Sequence, residues 1–390
     1  MIGEKHHVVA ADHVFDGETL HANHAIVIED GCIVAVVPRH DLSDASEMRD
    51  LPAGAWLAPG FIDLQVNGGG DVLFNDKPTV DGIAAIVAAH RKFGTTSLLP
   101  TLITDSDEKM RQARDAVQVA MAEEPGVLGI HFEGPFLSPQ KPGVHSRQFI
   151  RKPQSYHREL LTGLDNGVTL VTLAPEQVPT GFIAALASAG VKLSLGHSMA
   201  THAQTRAAIE QGLTGFTHLF NAMRPLESRE PGPIAAALES PNAWYGLIVD
   251  GVHVDPAMLR LALRGAGHPF LVTDAMPPVG GTHCGFRLYG EEVIVENGRC
   301  TTKDGTLAGS ALDMASAVRN CVRLLGLPLA QALRLASHHP AEFIGLGNHL
   351  GRIAPGYRAD LVAIEPATVQ ILETWVAGES LPRGAKATRR

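Results

Sequence analysis

The 390-residue sequence lacks a long apolar run, a paired-cysteine motif and an excess of positive charge. It contains no stretch of about 18 consecutive apolar residues, the length that a membrane-spanning helix needs. Residues 1–17 contain no apolar segment typical of a signal peptide. We therefore expect a cytoplasmic protein with no membrane partner.

The four cysteines are widely separated and form no C-x-x-C pair, which argues against a zinc ribbon or a dithiol redox site. The formal net charge of -9 argues against a nucleic-acid partner, because the phosphate backbone requires a cationic surface. An anionic substrate would be repelled at long range, so a few local Arg, Lys or His residues would have to bind it. The 19 histidines make a metal site worth seeking.

Both ends of the chain contain strand patterns. Residues 25–37 contain two β-branched runs joined by Asp30-Gly31, a dipeptide that favours a type I′ hairpin. Residues 359–365 and 369–379 also read as strands. Because isolated hairpins are marginal in water, we predict that residues 1–56 and 348–380 form one small β-sandwich domain. Residues 381–390 lack apolar periodicity, and we predict a disordered tail.

Residues 57–347 alternate short apolar runs with amphipathic segments, which predicts βα units and a parallel sheet. Eight units suggest an α/β fold with a closed TIM (β/α)8 barrel. The runs are Phe61–Val66, Thr95–Leu99, Leu128–Phe132, Thr169–Leu173, Val191–Leu195, Gly215–Leu219, Tyr245–Val249 and Phe270–Thr273.

The carboxyl ends of these runs are polar, and catalytic residues of a TIM barrel lie at those ends. A doubly wound sheet also alternates βα units but does not require its strand ends to converge on one site, so we favour the barrel. The polar residues, in chain order, are Gln65, Asn67, Thr101, Glu133, Glu176, His197, His218, Asp250, His253 and Asp274.

Glu133, His197 and His218 follow separate runs and could meet around one cation, since three protein ligands plus water are typical of catalytic zinc. Each residue alone has a plain structural alternative: a hydrogen-bonded strand-end histidine or a glutamate that caps a loop. Asp274 is the candidate general base for a water molecule. A loop-capping role is the alternative for Asp274, although Pro277 prevents an immediate helix.

The ordered motifs resemble one family closely. APGFIDLQVNGGG, HFEGPFLSP, KPGVHS, LGHS, THLFNAM, REPG, DGVHVDP, VTDAM and LAGS, together with GRIAPGYRADLV, are similar to the N-acetylglucosamine-6-phosphate deacetylase family of the amidohydrolase superfamily. The resemblance covers roughly residues 58–376.

The resemblance implies a hydrolase that converts N-acetyl-D-glucosamine 6-phosphate to D-glucosamine 6-phosphate and acetate, with Asp274 as general base and acid. It implies metal ligation by Glu133, His197 and His218, and phosphate contacts from Arg229 and His253. In the family this arginine comes from the neighbouring subunit, which implies a homodimer. The remaining implied substrate contacts are His145, Asn221, Ala222, Leu307, Ala308 and Gly309.

One departure concerns the number of metals. Many amidohydrolases have His-x-His after the first strand, whereas this chain has Gln65-Val66-Asn67, and amides are poor substitutes for imidazole. We predict one divalent ion per subunit, zinc first, with iron, manganese or cobalt as alternatives.

Three other functions stay open at this stage. The same chemistry on N-acetylgalactosamine 6-phosphate would use the same metal and phosphate groups. A dihydroorotase-like cyclic-amide hydrolase would have the His-x-His pattern, and Gln65 and Asn67 count against it. A catalytically silent scaffold would have lost its ligands, whereas Glu133 and both histidines are present.

Overall fold

The computed structural model describes residues 7–42 and 47–381. Apart from Leu381, the tail predicted to be disordered lies outside these residues. No helix in the described part of the chain has the length and apolar character needed to cross a membrane.

The N-terminal strands are β1 His7–Phe15, β2 Leu20–Glu29, β3 Cys32–Pro38, β4 Glu47–Asp50 and β5 Trp56–Pro59. The predicted hairpin is confirmed, because β2 and β3 pair antiparallel on either side of Asp30-Gly31. Asp30 and Gly31 have φ values of 48° and 76°, and a type I′ turn needs positive φ at both central positions.

The next segment contains ten strands and seven helices. The strands are β6 Phe61–Val66, β7 Gly68–Gly69, β8 Val72–Leu73, β9 Thr95–Ile103, β10 Gly129–Glu133, β11 Val168–Leu173, β12 Lys192–Leu195, β13 Gly215–Phe216, β14 Trp244–Leu247 and β15 His268–Leu271. The helices are α1 Val80–Arg91, α2 Asp107–Glu123, α3 Tyr156–Thr162, α4 Phe182–Ser188, α5 His202–Glu210, α6 Gly232–Glu239 and α7 Pro256–Ala262.

Eight of these strands form the predicted barrel. Their order is β15-β14-β13-β12-β11-β10-β9-β6, the order of the chain read backwards. An isolated parallel bridge between Val66 and Ala275 joins the first barrel strand to the residues just after the last one. Every residue of β6, β9 and β10 is buried, as expected for parallel strands covered on both faces. Each of the eight predicted runs overlaps one barrel strand.

A four-stranded antiparallel sheet follows the barrel strands, and the sequence patterns did not predict it. Its strands are β16 Gly285–Leu288, β17 Glu291–Glu296, β18 Arg299–Thr302 and β19 Leu307–Ser310. Tyr289-Gly290 and Asn297-Gly298, with φ values of 50°, 86°, 51° and 78°, connect the first three strands. Asn-Gly between two strand-like runs was the available signal for this sheet.

The chain ends with α8 Met314–Leu325, α9 Leu329–Ala336, α10 His338–Ile344, β20 Leu361–Glu365, β21 Gln370–Val376 and β22 Glu379–Leu381. Strands from both ends hydrogen-bond into one sheet, in the order β22-β21-β20-β5-β1-β2-β3, with β4 also paired to β1. Apolar side chains from both ends share a core that includes Ile26, Leu57, Leu361 and Trp375. The terminal sheet domain built from both ends is therefore confirmed.

Two compact units can be distinguished within the described residues. One contains residues 63–89 and 98–313, and the other contains the remainder, including the terminal sheet and α8 to α10. The candidate site described below lies entirely in the first of these units.

Candidate metal centre and active site

Glu133, His197 and His218 converge at the carboxyl ends of three barrel strands. Oε1 of Glu133 lies 3.1 Å from Nε2 of His197 and 3.0 Å from Nε2 of His218, and the two nitrogens are 3.2 Å apart. Ligand atoms about 2.0–2.1 Å from a tetrahedral zinc ion would lie about 3.3 Å from one another. One oxygen and two nitrogens at these separations therefore fit a divalent cation.

The electrostatics of the cluster favour a positive charge. Burial alone raises the pKa of Glu133, but hydrogen bonds from His197 and His218 outweigh it, so this pKa lies well below its usual range. Burial lowers the pKa of His218, but the bond to Glu133 and its charge reverse the effect, so the pKa is raised. The ionised carboxylate therefore creates a local negative potential where a cation would bind.

A backbone carbonyl fixes the tautomer of His197. Nδ1 of His197 lies 2.9 Å from the carbonyl oxygen of Lys141, which can only accept a hydrogen bond. Nδ1 therefore carries the hydrogen, and Nε2 presents its lone pair to the cluster, as metal-binding histidines usually do.

Several site residues adopt a left-handed backbone that side chains rarely favour. His197, His218, Ala222 and Asp274 have φ values of 48°, 33°, 49° and 52°. Such conformations cost of order 1–3 kcal/mol each and persist only where the surroundings enforce them. The loops after β12, β13 and β15 therefore hold their functional side chains against a local energetic cost.

Asp274 lies beside the cluster and is held by two amides. Its Oδ1 accepts hydrogen bonds from Gln65 Nε2 at 3.1 Å and from Asn67 Nδ2 at 2.6 Å. Gln65 Nε2 also donates to Oε2 of Glu133 at 3.2 Å. Burial and then the charge of Glu133 raise the pKa of Asp274 to about 6. A carboxyl group with such a pKa can both accept and return a proton near neutral pH.

His145 also lies beside the cluster, with its ring centroid 4.3 Å from that of His197. Burial, followed by the charge of His197, lowers the pKa of His145 to about 3. Its Nε2 lies 3.9 Å from Oε1 of Glu133. On the other edge of the ring, Nδ1 lies 3.3 Å from the backbone nitrogen of Thr104 and 2.8 Å from its Oγ1.

One cavity of about 490 Å³ is lined by six of these residues: Asn67, Glu133, His145, His197, His218 and Asp274. Of the predicted substrate-contact residues, the cavity lining contains His145, Asn221, Ala222, His253, Leu307 and Gly309. Ala308 is buried in an apolar cluster with Met276 and Cys300, because alternate residues of β19 point to opposite faces. The lining residues that the sequence did not single out include Ile103, Gln140, Lys141, Ile248 and Thr306.

The two predicted phosphate contacts differ in position. Nδ1 of His253 lies 2.6 Å from Oδ2 of Asp250, so the carboxylate orients the ring. Burial alone raises the pKa of Asp250, but the His253 contact outweighs it and the pKa is lowered. Arg229 is exposed on a loop and is not part of the cavity lining.

Three polar residues near the strand ends, Thr101, His131 and Glu176, have structural partners instead. His131 lies inside the barrel, with Nδ1 3.2 Å from Thr101 Oγ1 and Nε2 2.8 Å from Thr172 Oγ1. Glu176 accepts hydrogen bonds from Ser198 Oγ at 2.7 Å and from the Met199 backbone N–H at 2.6 Å. Glu176 therefore stabilises the loop that carries His197 without entering the cluster.

The sequence matches two family models. The Amidohydrolase family model matches residues 56–381, and the NagA composite domain model matches residues 12–57. The chain therefore belongs to the amidohydrolase family and is an enzyme of that family.

Individual relatives narrow the comparison. The chain is 43% identical over 369 residues to an N-acetylgalactosamine-6-phosphate deacetylase from Shewanella sp. (strain ANA-3), covering 93% of each chain. It is 35% identical over 360 residues to the N-acetylglucosamine-6-phosphate deacetylase of Haemophilus influenzae, covering 91% of this chain and 94% of the relative.

Solved structures of such deacetylases resemble the whole chain. The Pasteurella multocida N-acetylglucosamine-6-phosphate deacetylase superimposes with a TM-score of 0.93 at 36% identity, covering 96% of this chain and 99% of that one. A mutant of the Mycobacterium smegmatis enzyme in complex with N-acetyl-D-glucosamine-6-phosphate gives a TM-score of 0.88 at 36% identity, covering 96% and 99%.

Proposed function

We propose that the protein hydrolyses the acetamide of N-acetyl-D-glucosamine 6-phosphate to give D-glucosamine 6-phosphate and acetate. The observation that carries this proposal is the Glu133, His197 and His218 cluster, which faces the same cavity as Asp274. A ligand set for one cation beside a general base is what metal-assisted amide hydrolysis requires. Amino-sugar-phosphate deacetylases among the relatives support the substrate class.

We expect one divalent ion per subunit, zinc first and iron, manganese or cobalt as alternatives. Glu133 Oε1, His197 Nε2 and His218 Nε2 would hold it. When bound, the ion would lower the pKa of a water molecule to about 7 and polarise the substrate carbonyl. Gln65 and Asn67 donate to carboxylates, so their amides serve the two acids and do not supply a second metal site.

Asp274 would move the proton. Its carboxylate accepts a proton from the attacking water as the new C–O bond forms at the amide carbon. It then donates this proton to the amide nitrogen, the C–N bond breaks, and acetate leaves the amino sugar. Gln65 and Asn67 both bind Oδ1, so Oδ2 is the oxygen left for proton transfer.

His145 would donate a hydrogen bond to the acetyl oxygen as negative charge develops there. The sugar would be contacted by other residues that line the same cavity: Asn221, Ala222, Leu307 and Gly309. Ala308 would act only through its backbone, since its side chain is buried elsewhere.

The 6-phosphate would be bound locally, because the chain as a whole is anionic. His253, oriented by Asp250, reaches the cavity. Arg229 is exposed and lies outside the cavity lining of its own chain, and we propose that a second subunit of a homodimer supplies it. A guanidinium group binds phosphate with paired hydrogen bonds.

The galacto epimer is the second candidate substrate. Its support is the 43% identity to the Shewanella enzyme, against 35% to the Haemophilus enzyme. The two sugars differ at one hydroxyl and would use the same metal, base and phosphate groups.

These proposals can be tested by measuring acetate release. The substrates are N-acetylglucosamine 6-phosphate, N-acetylgalactosamine 6-phosphate and the unphosphorylated sugar, each with zinc-loaded and with metal-stripped protein. We expect zinc-dependent turnover that requires the phosphate and favours the gluco epimer. Faster turnover of the galacto epimer would keep the chemistry and replace the substrate. Inactivity on all three compounds with zinc bound would refute the deacetylase proposal.

The predicted domain boundaries, 1–56 with 348–380 and 57–347, remain a proposal. The cytoplasmic location also remains a prediction. Fractionation of the native host with an antibody to this chain would test the location.

A further inference from the structure

The proposed role of His145 depends on which ring nitrogen carries the hydrogen. A neutral imidazole has one donor and one acceptor nitrogen, and its neighbours select between the two tautomers. If the hydrogen is on Nε2, the ring can donate to an acetyl oxygen beside the metal ligands. If it is on Nδ1, Nε2 would present a lone pair and repel that oxygen.

Thr104 makes two contacts to Nδ1 of His145. Its backbone N–H donates to Nδ1 at 3.3 Å, and its Oγ1 lies 2.8 Å from the same atom. The Thr104 hydroxyl has two possible acceptors, Nδ1 of His145 and the Glu133 carbonyl oxygen 3.3 Å away, so it does not fix the tautomer by itself. The backbone N–H can only donate, and its contact therefore makes Nδ1 the acceptor and places the ring hydrogen on Nε2. Thr104 is 1% exposed, so water does not compete for these bonds.

Tyr289 holds Thr104 from the other side. Its hydroxyl donates to the carbonyl oxygen of Thr104, and Tyr289 itself lies in the turn between β16 and β17. The four-stranded sheet therefore reaches the metal centre through a chain of hydrogen bonds: Tyr289 to Thr104, and Thr104 to His145. Thr104 and His145 are buried and Tyr289 is partly buried, and hydrogen-bond networks shielded from water in this way restrict the geometry of their members.

We propose that Thr104 is a positioning residue that sets the tautomer of His145, with Tyr289 fixing the peptide of Thr104. This proposal rests on the proposed deacetylase function for its kinetic consequence. It does not depend on that function for the tautomer itself. Thr104 acts through His145 and needs no contact with the substrate.

Replacement of Thr104 by Val or Ser separates the hydroxyl from the shape of the side chain. In zinc-loaded protein we expect Thr104→Val to lower kcat roughly 10- to 100-fold, the usual effect of losing a group that orients a site residue. KM should change less than about threefold, because the hydrogen bond is needed mainly in the transition state. Thr104→Ser retains the hydroxyl and should stay within about threefold of the parent kcat.

Thr205→Val is the matched control. Thr205 is also buried, but its hydroxyl donates to the Thr201 carbonyl within α5, and it is not part of the cavity lining. Thr205→Val removes a buried hydroxyl by the same substitution, but at a position away from the cavity. Its kcat should therefore be unchanged. Should Thr104→Val fail to fold, Tyr289→Phe removes the outer bond of the chain and should lower kcat in the same direction.

Nitrogen-15 NMR of histidine-labelled, zinc-loaded protein gives a readout that is independent of turnover. The His145 signal is identified by its loss in His145→Gln, and its protonated nitrogen by the one-bond coupling to hydrogen. Thr104→Val keeps the backbone N–H contact to Nδ1 and loses the shorter hydroxyl contact. We therefore expect Nε2–H in the parent and a partial shift of population toward Nδ1–H in the variant. A parent with Nδ1–H, or a Thr104→Val protein with unchanged kcat and tautomer, would overturn the proposal. An inactive parent with Nε2–H that responds to Thr104→Val would refute only the deacetylase function.

Discussion

Replacement of Asp274 by Asn should abolish turnover without destabilising the protein. The amide of Asn cannot accept a proton from water, yet its carbonyl oxygen can still accept hydrogen bonds from Gln65 and Asn67. General acid–base catalysis contributes about 10²- to 10⁴-fold, and Asp274 serves in two proton transfers. We therefore expect kcat to fall by at least about 10³-fold, with metal content unchanged.

The same substitution should increase the stability of the protein although it decreases kcat. The size of the increase can be estimated from the pKa of Asp274. Burial and the charge of Glu133 raise the pKa of Asp274 from 3.8 to about 6 in the folded protein. Between these values the folded state binds more protons than the unfolded state, so the free energy of unfolding decreases as the pH rises. A shift of about 2 units corresponds to at most about 3 kcal/mol. Above pH 6 the metal-free Asn variant should gain up to that amount.

Thermal unfolding of the metal-free proteins at pH 4 and pH 7 measures this effect. The variant should match the parent at pH 4 and unfold at a Tm up to about 5 °C higher at pH 7. Metal-free protein is needed because a bound cation would stabilise the ionised form. A variant within tenfold of the parent kcat would remove Asp274 from the catalytic role. A lower Tm at pH 7 would contradict the argument from the buried charge.

Three further predictions concern metal content, phosphate binding and acid stability. Elemental analysis of the purified protein should find one tightly bound divalent metal per chain, and two would contradict the role assigned to Gln65 and Asn67. Arg229→Ala should raise KM for the phosphorylated sugar with kcat retained, and an unchanged KM would leave Arg229 as a solvated loop residue. Asp107→Asn should lower the free energy of unfolding by about 1 kcal/mol at pH 7 after discounting for partial exposure. Hydrogen bonds from Tyr156, His157 and Arg151 outweigh burial and lower the pKa of Asp107 to about 2. That loss should therefore disappear as the pH falls from about 4 to about 2, and a constant loss in urea titrations over this range would refute the assignment.

Much of the fold could be predicted from the sequence, because the pattern of apolar residues indicates the strands and helices and their order along the chain limits how the strands can pair. Eight short apolar runs separated by amphipathic segments require parallel strands with crossover helices, and these strands close into a barrel. The β2–β3 hairpin could be predicted from the backbone preference of Asp30-Gly31 between two β-branched runs. The β16 to β19 sheet was missed because its strands alternate only weakly and their signal lies in the turns.

The composition of the candidate metal site was also predictable from the sequence. Barrel geometry brings the carboxyl ends of all strands to one face, so Glu133, His197 and His218 had to be neighbours once the barrel was recognised. Their residue types then pointed to a cation. Ala308 is excluded from the cavity because its side chain lies on the opposite face of β19. A sequence motif does not show which face of a strand points to the cavity.

The sequence by itself therefore determined that Glu133, His197, His218 and Asp274 gather at the barrel mouth. Only the tertiary structure decided how each one is held: Asp274 by two amides, His197 by the Lys141 carbonyl and His145 by Thr104. The reason is physical. Strand connectivity is encoded locally, whereas a hydrogen bond between residues 41 to 209 positions apart depends on ångström-level packing of the whole barrel.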